Sequence, residues 1–330
     1  MSEQISMTVQ SKVTQFAPLN RAYNSVFHPG RLSLGLVVPL EAYPQGPVPT
    51  MADHLKRARL AEELGFTALW LRDVPFNVPT FGDAGQTYDP FVYLGYLAAQ
   101  TSTIALGVAS IILPLRHPAH VAKAAASADV LSDGRLLLGV ASGDRPEEYP
   151  AMNMDYESRG ERFRDSFDYI RQMGRDFPAF DTAQGQSHGT MDMLPKPTAT
   201  GGRLPMLVTG GSRQHPDWVA EHSNGWITYP RDTVSQSQVI ADYRARVYAS
   251  GQPDKPVSQS LYVDLVDDKN ARPQPIHLGF RSNIDYLRSY LLSLQEIGVN
   301  HVALNLRLNQ AGTEQTMQAI ADEILPLLAN

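Results

Sequence analysis

The sequence predicts an α/β protein built as a (β/α)8 TIM barrel, and three observations carry that prediction. Short apolar runs alternate with amphipathic stretches along almost the whole chain. Eight of these runs have strand character. Several are continuous and rich in leucine or β-branched residues, as strands buried on both faces require.

The first strand is expected over 33–38. Leu55, Ala58, Ala61 and Leu64 then recur at helical spacing, and Gly65 follows as a stop signal. The second strand, 67–71, precedes a long connection (74–88) and a helix over 89–101. The third strand, 104–113, leads to a helix over 117–131, and Asp133-Gly134 makes a tight turn into the fourth strand, 135–141. A helix over 158–174 and a second long connection (175–204) precede the fifth strand, 205–209. A helix over 214–223, a sixth strand (225–229) and a helix over 233–250 follow. The seventh strand, 257–266, precedes a third long connection (267–281) and the apolar stripe Ile284, Leu287, Leu291 and Leu294. The eighth strand, 299–306, and a helix over 313–328 end the chain. Alternation of this kind argues for parallel βαβ units. An open doubly wound sheet is the competing layout, and eight pairs favour the closed barrel. Residues 32–330 then form one domain and residues 1–31 an N-terminal arm. The insertions after strands 2 and 7 fall at the C-terminal mouth, and the one between strands 4 and 5 starts on the opposite rim. Connections this long act as lids or binding loops, or are disordered.

Composition narrows the function classes. The 330 residues are 43% hydrophobic and 19% charged, with a net charge of −6 and no basic run. This argues against nucleic acid and acidic membrane surfaces as partners. With no cysteine, disulfides, thiolate metal sites and a cysteine nucleophile are excluded. The first thirty residues lack an apolar signal core. The uncharged stretch 91–115 approaches the length of a membrane span, but Gln100-Thr101-Ser102-Thr103 and Pro114 break it into a buried helix and a buried strand. The expected location is the cytoplasm.

In a barrel the active site is built by the loops that follow the strands. Strand five ends in Gly210-Gly211-Ser212, with a helix expected to start near Gln214. Such a turn either cradles a phosphate or is a plain junction with Ser212 as N-cap. Strand four ends in Ser142-Gly143-Asp144-Arg145, where Arg145 either meets an anion or joins a salt-bridge network. Ser110, in strand three, either points at a ligand ring or bonds a neighbouring carbonyl. Strand two ends in Arg72-Asp73, either a charged pair at the mouth or partners that orient the loop. Asp73 and Glu148 would be the carboxylates of a glycosidase reading. His117 and His120 have metal-ligand spacing but no third ligand nearby, so no metal is expected. No dinucleotide, NTPase, zinc-protease or serine-hydrolase motif is present.

Together these residues resemble a known family. Leu113-Pro114-Leu115-Arg116-His117-Pro118, Ala122-Lys123 and Leu131-Ser132-Asp133-Gly134-Arg135-Leu136 are similar to the most characteristic stretch of the bacterial-luciferase-like flavin monooxygenases. Glu62-Leu64-Gly65-Phe66 with Leu69-Trp70, and Thr209-Gly210-Gly211-Ser212 with Ala220-Glu221-His222 and Gly225-Trp226, resemble its second-strand and phosphate-loop regions. The resemblance implies reduced flavin in the barrel mouth, FMN in most members and the deazaflavin F420 in some. It implies Ser110 near the flavin ring, with Ser142, Gly143 and Tyr149 lining the ring or ribityl side. Gly210, Gly211, Ser212 and Gln214 would hold the phosphate. It also implies a small organic substrate, a flavin reductase partner and a homodimer. Where many members carry Glu-His-His after the second strand, this chain has Arg72-Asp73-Val74, so no histidine acts from there. The expected reaction is a monooxygenation with FMN and O2, in which Arg72 stabilises developing negative charge and Asp73 orients it. An F420-dependent oxidoreductase and a non-catalytic flavin-binding barrel are the alternatives.

Overall fold

A computed structural model describes residues 15–328. Four strands come first: β1 (Ser33–Val37), β2 (Ala68–Leu71), β3 (Ala105–Ile112) and β4 (Leu136–Ala141). A separate antiparallel hairpin follows, β5 (Ala179–Thr182) and β6 (Gly185–His188). Then come β7 (Met206–Thr209), β8 (Gly225–Thr228), β9 (Val257–Leu265), the short pair β10 (Gln274–Ile276) and β11 (Gly279–Ser282), and β12 (His301–Asn305). Eight of them run β1-β2-β3-β4-β7-β8-β9-β12 and return to β1, every pairing parallel. The sheet is therefore a closed barrel, as the alternation predicts.

Apart from the short α1 (Arg21–Val26), one main helix follows each barrel strand: α2 (His54–Glu63), α3 (Pro90–Gln100), α4 (Pro118–Leu131), α6 (Arg159–Met173, after the single turn α5, Glu148–Ala151), α7 (Pro216–His222), α8 (Thr233–Ala249), α9 (Ile284–Glu296) and α10 (Thr313–Glu323). The uncharged stretch at 91–115 is a helix and a strand. Among the described residues no helix is long and apolar enough to cross a membrane. Most boundaries shift by one or two residues, and two of the differences bear on packing and on the site. The last helix breaks at Ile324, just before Pro326, leaving the short turn α11 (Leu325–Leu328). The helix after β7 starts at Pro216, not near Gln214, with His215 as its cap.

One apolar layer lies between strands and helices. A second fills the barrel itself, where Val37, Trp70, Ala105, Leu137, Leu207, Ile227 and Ala303 meet. Trp70 is the largest of these; Gly107 on β3 makes room for it, and Gly35 on β1 makes room for His301. A Cβ on Gly107 would lie 2.4 Å from the Trp70 ring, and one on Gly35 would lie 2.9 Å from the His301 ring. The base of the barrel is closed by the N-terminal segment. Phe16, Ala22, Tyr23, Val26 and Phe27 are buried in the same inner layer. Asn20 caps α1 and donates to Asp129 and to the Leu136 carbonyl at 2.8 and 2.7 Å. The arm expected over 1–31 is thus packed from Phe16 onward, and residues 1–14 lie outside the described residues.

The long connections carry structure of their own. The 74–88 loop folds over the C-terminal mouth. The 267–281 connection holds the β10–β11 hairpin, and β11 pairs with the outer half of β9 at Tyr262–Leu265. The 175–204 connection leaves the far end of α6 and packs Phe180 of the β5–β6 hairpin edge-on against Tyr169.

Gly107→Ala forces a methyl group into the Trp70 ring and should cost about 2–3 kcal/mol. Gly95→Ala, in mid-α3 with open space around its Cα, should gain about 0.5–1 kcal/mol. Urea unfolding of the two variants checks this, and equal effects would contradict the packing described.

Candidate active site

The eight strand ends surround one cavity of about 760 Å³ at the C-terminal mouth, a size typical of cofactor and small-ligand sites. At its floor the Trp70 indole donates to His301 Nε2 at 2.8 Å. Indole is only a donor, so Nε2 accepts and the imidazole proton sits on Nδ1. Nδ1 then donates to Ser33 Oγ at 2.7 Å, and Ser33 Oγ donates to the Val26 carbonyl at 2.7 Å. Burial pushes His301 down to about 3. It is a neutral, fixed spacer near pH 7.

One wall is made of small residues. Ala109 and Ser110, joined by a cis peptide, stand within β3 where its register with β4 shifts between Val108 and Ile111. Ser110 Oγ shares a hydrogen bond with Thr209 Oγ1. Ala141, Ser142 and Gly143 continue the wall from β4. Gly143 has φ +77°, and a Cβ there would lie 2.7 Å from Ile112 Cγ2 and 2.8 Å from the Tyr149 hydroxyl. Tyr149 does not line the cavity. It is fully buried behind this loop and donates to the Ser142 carbonyl.

At the end of β7, Gly210, Gly211 and Ser212 line the cavity. Gly210, Ser212 and Arg213 all take left-handed backbone angles (φ +54°, +44° and +60°). Ser212 Oγ donates back to the Thr209 carbonyl at 2.8 Å. The Gly210 and Gln214 amides are spent on Ile227 and Gly211 carbonyls. Among the described residues, the amides of Gly211, Ser212 and Arg213 have no hydrogen-bond partner. Successive free amides of this kind make an anion nest. The nest is a loop feature, because α7 begins three residues later behind its own cap. Gln214 faces away, accepting from Arg164 Nε at 2.9 Å and donating to the Gly160 carbonyl at 2.7 Å.

Arg72 and Asp73 line the cavity but do not pair with each other. Asp73 accepts from Arg116 twice, at 2.9 and 2.7 Å, and from the Ile112 amide at 3.1 Å. Arg72 Nη1 donates to Asp83 Oδ2 at 2.5 Å. Asp83 also accepts from the Tyr43 hydroxyl at 3.0 Å and the Gly85 amide at 2.9 Å, and Arg307 stands 3.7 Å away. Burial alone would raise the Asp83 carboxyl, but Arg72, these hydrogen bonds and Arg307 hold it below the usual range. Arg145 donates to the Asp83 carbonyl at 2.9 Å and lies over the Phe81 ring.

Glu148 is 3% exposed and also lines the cavity. Its Oε1 and Arg145 Nη1 face each other at 3.9 Å, both without a hydrogen bond among the described residues. Burial pushes Glu148 up to about 7; Arg145 opposes this, while Asp73 and Asp144 add to it. Opposite, the β10–β11 hairpin brings His277 and Leu278 to the rim. Among the described residues no three His, Asp or Glu side chains converge as a metal site, and His117 is spent capping α4.

A family model described as luciferase-like monooxygenase matches residues 26–318. The chain belongs to the luciferase-like monooxygenase family. It is 32% identical over 233 residues to an uncharacterized protein of Mycobacterium tuberculosis (strain ATCC 25618 / H37Rv), covering 65% of this chain and 80% of that protein. The F420-dependent hydroxymycolic acid dehydrogenase of the same strain is 27% identical over 226 residues, covering 65% of this chain and 59% of that protein. Among solved structures, the oxygenating constituent of 3,6-diketocamphane monooxygenase from Pseudomonas putida, in complex with FMN, matches with a TM-score of 0.71 at 15% identity. That match covers 90% of this chain and 98% of the other. Proteins of this family are oxidoreductases or monooxygenases on a (β/α)8 barrel, with both flavin- and F420-dependent relatives.

Sequence reasoning placed Arg72, Asp73, Ser110, Ser142, Gly143, Gly210, Gly211 and Ser212 at the mouth, and all eight line the cavity. It missed His301, hidden in an apolar strand, and Asp83, whose three arginine neighbours lie 11 to 224 residues away in sequence. Glu148 was considered as one of two glycosidase carboxylates and within an Asp/Arg/Glu salt-bridge network, not as a perturbed carboxyl of the cavity.

The Glu148 carboxyl sits above its ordinary value of 4.5, so the folded protein holds this proton more tightly than the unfolded chain. That stabilisation is full below about pH 4.5 and is lost as pH rises through 7. Glu148→Gln should therefore be more stable than wild type at pH 8 by about 1–2 kcal/mol, with the gap closing near pH 5. Chemical denaturation at the two pH values checks this. A constant gap would show that the carboxyl is not perturbed.

Proposed function

We propose that this protein is a flavin-dependent oxidoreductase that holds FMN in the barrel mouth and acts with O2 on a small organic substrate. The observation that carries the reading is the nest of three unpartnered amides, Gly211 to Arg213, at the edge of a cavity with a wall of small residues. The nest suits a phosphate, and the wall at Ala109-Ser110 and Ser142-Gly143 suits a planar ring. The FMN complex of the Pseudomonas putida relative supports the choice of cofactor.

When bound, the flavin supplies the redox chemistry. The chain's own residues do the rest. The Gly211, Ser212 and Arg213 amides bind the phosphate, and Ser110, Ser142 and Gly143 place the ring. Trp70 and the neutral His301 keep the floor rigid. Arg72 presents positive charge toward the reacting region, and its aim is set by Asp83. Asp73 acts one step removed, by fixing Arg116 and the end of β3. Tyr149 and Gln214 support the two loops from behind. A flavin reductase would supply reduced cofactor, and a homodimer is the proposed assembly.

A second reading, an F420-dependent dehydrogenase, is favoured by Glu148. A buried carboxyl that titrates near neutrality can take the proton of a substrate hydroxyl as its hydride leaves. The mycobacterial dehydrogenase relative points the same way. Titration of the purified protein with FMN, reduced FMN and F420, followed by oxygen uptake during turnover, tests both. Tight FMN binding with oxygen uptake is expected. Tight F420 binding without oxygen uptake would move the assignment to the second reading, and no binding of any of the three would overturn both.

A further inference from the structure

The guanidinium groups of Arg72, Arg145 and Arg307 gather at one corner of the cavity, beside β2 and under the 74–88 loop. The Asp83 carboxylate pairs with Arg72 and Arg307 at 2.5 and 3.7 Å, Arg145 donates to the Asp83 backbone carbonyl, and Glu148 faces Arg145 at 3.9 Å. Asp73 is claimed by Arg116. Asp144 stands exposed on the rim, where water screens it. Counting Glu148 as ionised, three positive groups face two negative ones; with Glu148 protonated, three face one. With Glu148 protonated the corner keeps positive charge in excess even when the exposed Asp144 is counted, away from the anion nest on the β7 loop.

Arg72 decides what that charge is for. Its side-chain hydrogen bonding runs through Nη1 alone, to Asp83. Among the described residues Nε and Nη2 have no partner. Those two N–H groups form the side-on fork of a guanidinium, the edge that takes both oxygens of a carboxylate. Asp83 holds the group from its other edge, so the fork is fixed before any ligand arrives. The Arg72 side chain is 20% exposed and lines the cavity. Val74, Phe81 and Leu278 give the cavity apolar lining besides its polar groups, which include Tyr262, His277 and Asn305.

From this geometry we infer that the substrate is a small organic acid whose carboxylate docks on the Nε/Nη2 fork of Arg72 while its apolar body fills the cavity beside the cofactor. This deepens the reading above and rests on it for the word substrate; the acid site itself stands on Arg72, Arg145, Arg307 and Asp83. Arg145 and Arg307 supply long-range attraction. Arg307 is otherwise occupied with the Gly46 and Gly82 carbonyls at 3.2 and 2.7 Å, and Arg145 with the Asp83 carbonyl. Charge on the ligand, rather than its skeleton, is what this corner selects.

Benzoate and its neutral counterpart benzamide test the inference by isothermal titration calorimetry on the full chain, with and without saturating FMN. Benzoate should bind at least tenfold tighter than benzamide in both conditions. Arg72→Gln, which can still hydrogen-bond Asp83, should erase that preference while FMN affinity stays unchanged. Arg72→Lys, which keeps the charge but loses the fork, should retain part of it and serves if the glutamine variant does not fold. Equal binding of the two probes, no benzoate binding, or an unchanged preference in the variants would overturn the site. So would displacement of benzoate by FMN or by inorganic phosphate, since the anion would then belong to the cofactor's nest. If neither FMN nor F420 binds but the benzoate preference persists, the cofactor reading fails and the acid site stands.

Discussion

The cavity depends on one carboxylate. Asp83 sits in a loop that crosses the mouth of the barrel, and it receives the Arg72 guanidinium, the Tyr43 hydroxyl and the Gly85 amide, with Arg307 close by. Its backbone carbonyl takes Arg145 as well. Groups from the ends of β2, β4 and β12 thus converge on a single loop residue. A buried charge with one cationic partner is costly to keep, and removing its partners costs more. Here several donors share the work, so the loop is tied to three strand ends at once. The same tie aims Arg72 into the cavity, so loop order and site geometry have a common cause.

Beneath that roof the barrel is filled rather than hollow. Trp70 and His301 span the interior, and Gly35 and Gly107 on adjacent strands yield the volume they need. The N-terminal segment seals the other end through Phe16, Tyr23 and Phe27. The open cavity lies above this layer, at the strand ends. The division between packed base and open mouth is general to the fold, and here the inner apolar layer fills the base, with the Trp70–His301 hydrogen bond at the cavity floor.

Much of this was legible in the sequence. Parallel strands buried on both faces read as unbroken apolar runs, which is why the eight barrel strands stood out. Gly210-Gly211-Ser212 was visible as a turn that either cradles an anion or is a plain junction, and its free amides lie in a loop rather than at the helix end expected near Gln214. Partnerships across the barrel were not legible. Arg72 and Asp73 are adjacent in sequence and look like a pair. They follow the end of β2 and both line the cavity, yet each finds its partner elsewhere, in Asp83 and Arg116. His301 reads as one polar residue in an apolar strand, and only the Trp70 indole 231 residues away explains it. The β10–β11 hairpin was hidden because its strands are short and polar, and α1 because a six-residue helix is too short for a periodic signal.

The central claim is that the free amides of Gly211, Ser212 and Arg213 hold the phosphate of a flavin-type cofactor. The most direct measurement is a two-dimensional amide spectrum of isotope-labelled protein titrated with FMN and, in parallel, with riboflavin, which lacks the phosphate. The account predicts that FMN shifts those three amide signals strongly while riboflavin leaves them nearly in place, with both ligands moving Ser110 and Ser142. FMN binding that leaves Gly211, Ser212 and Arg213 unmoved would contradict it.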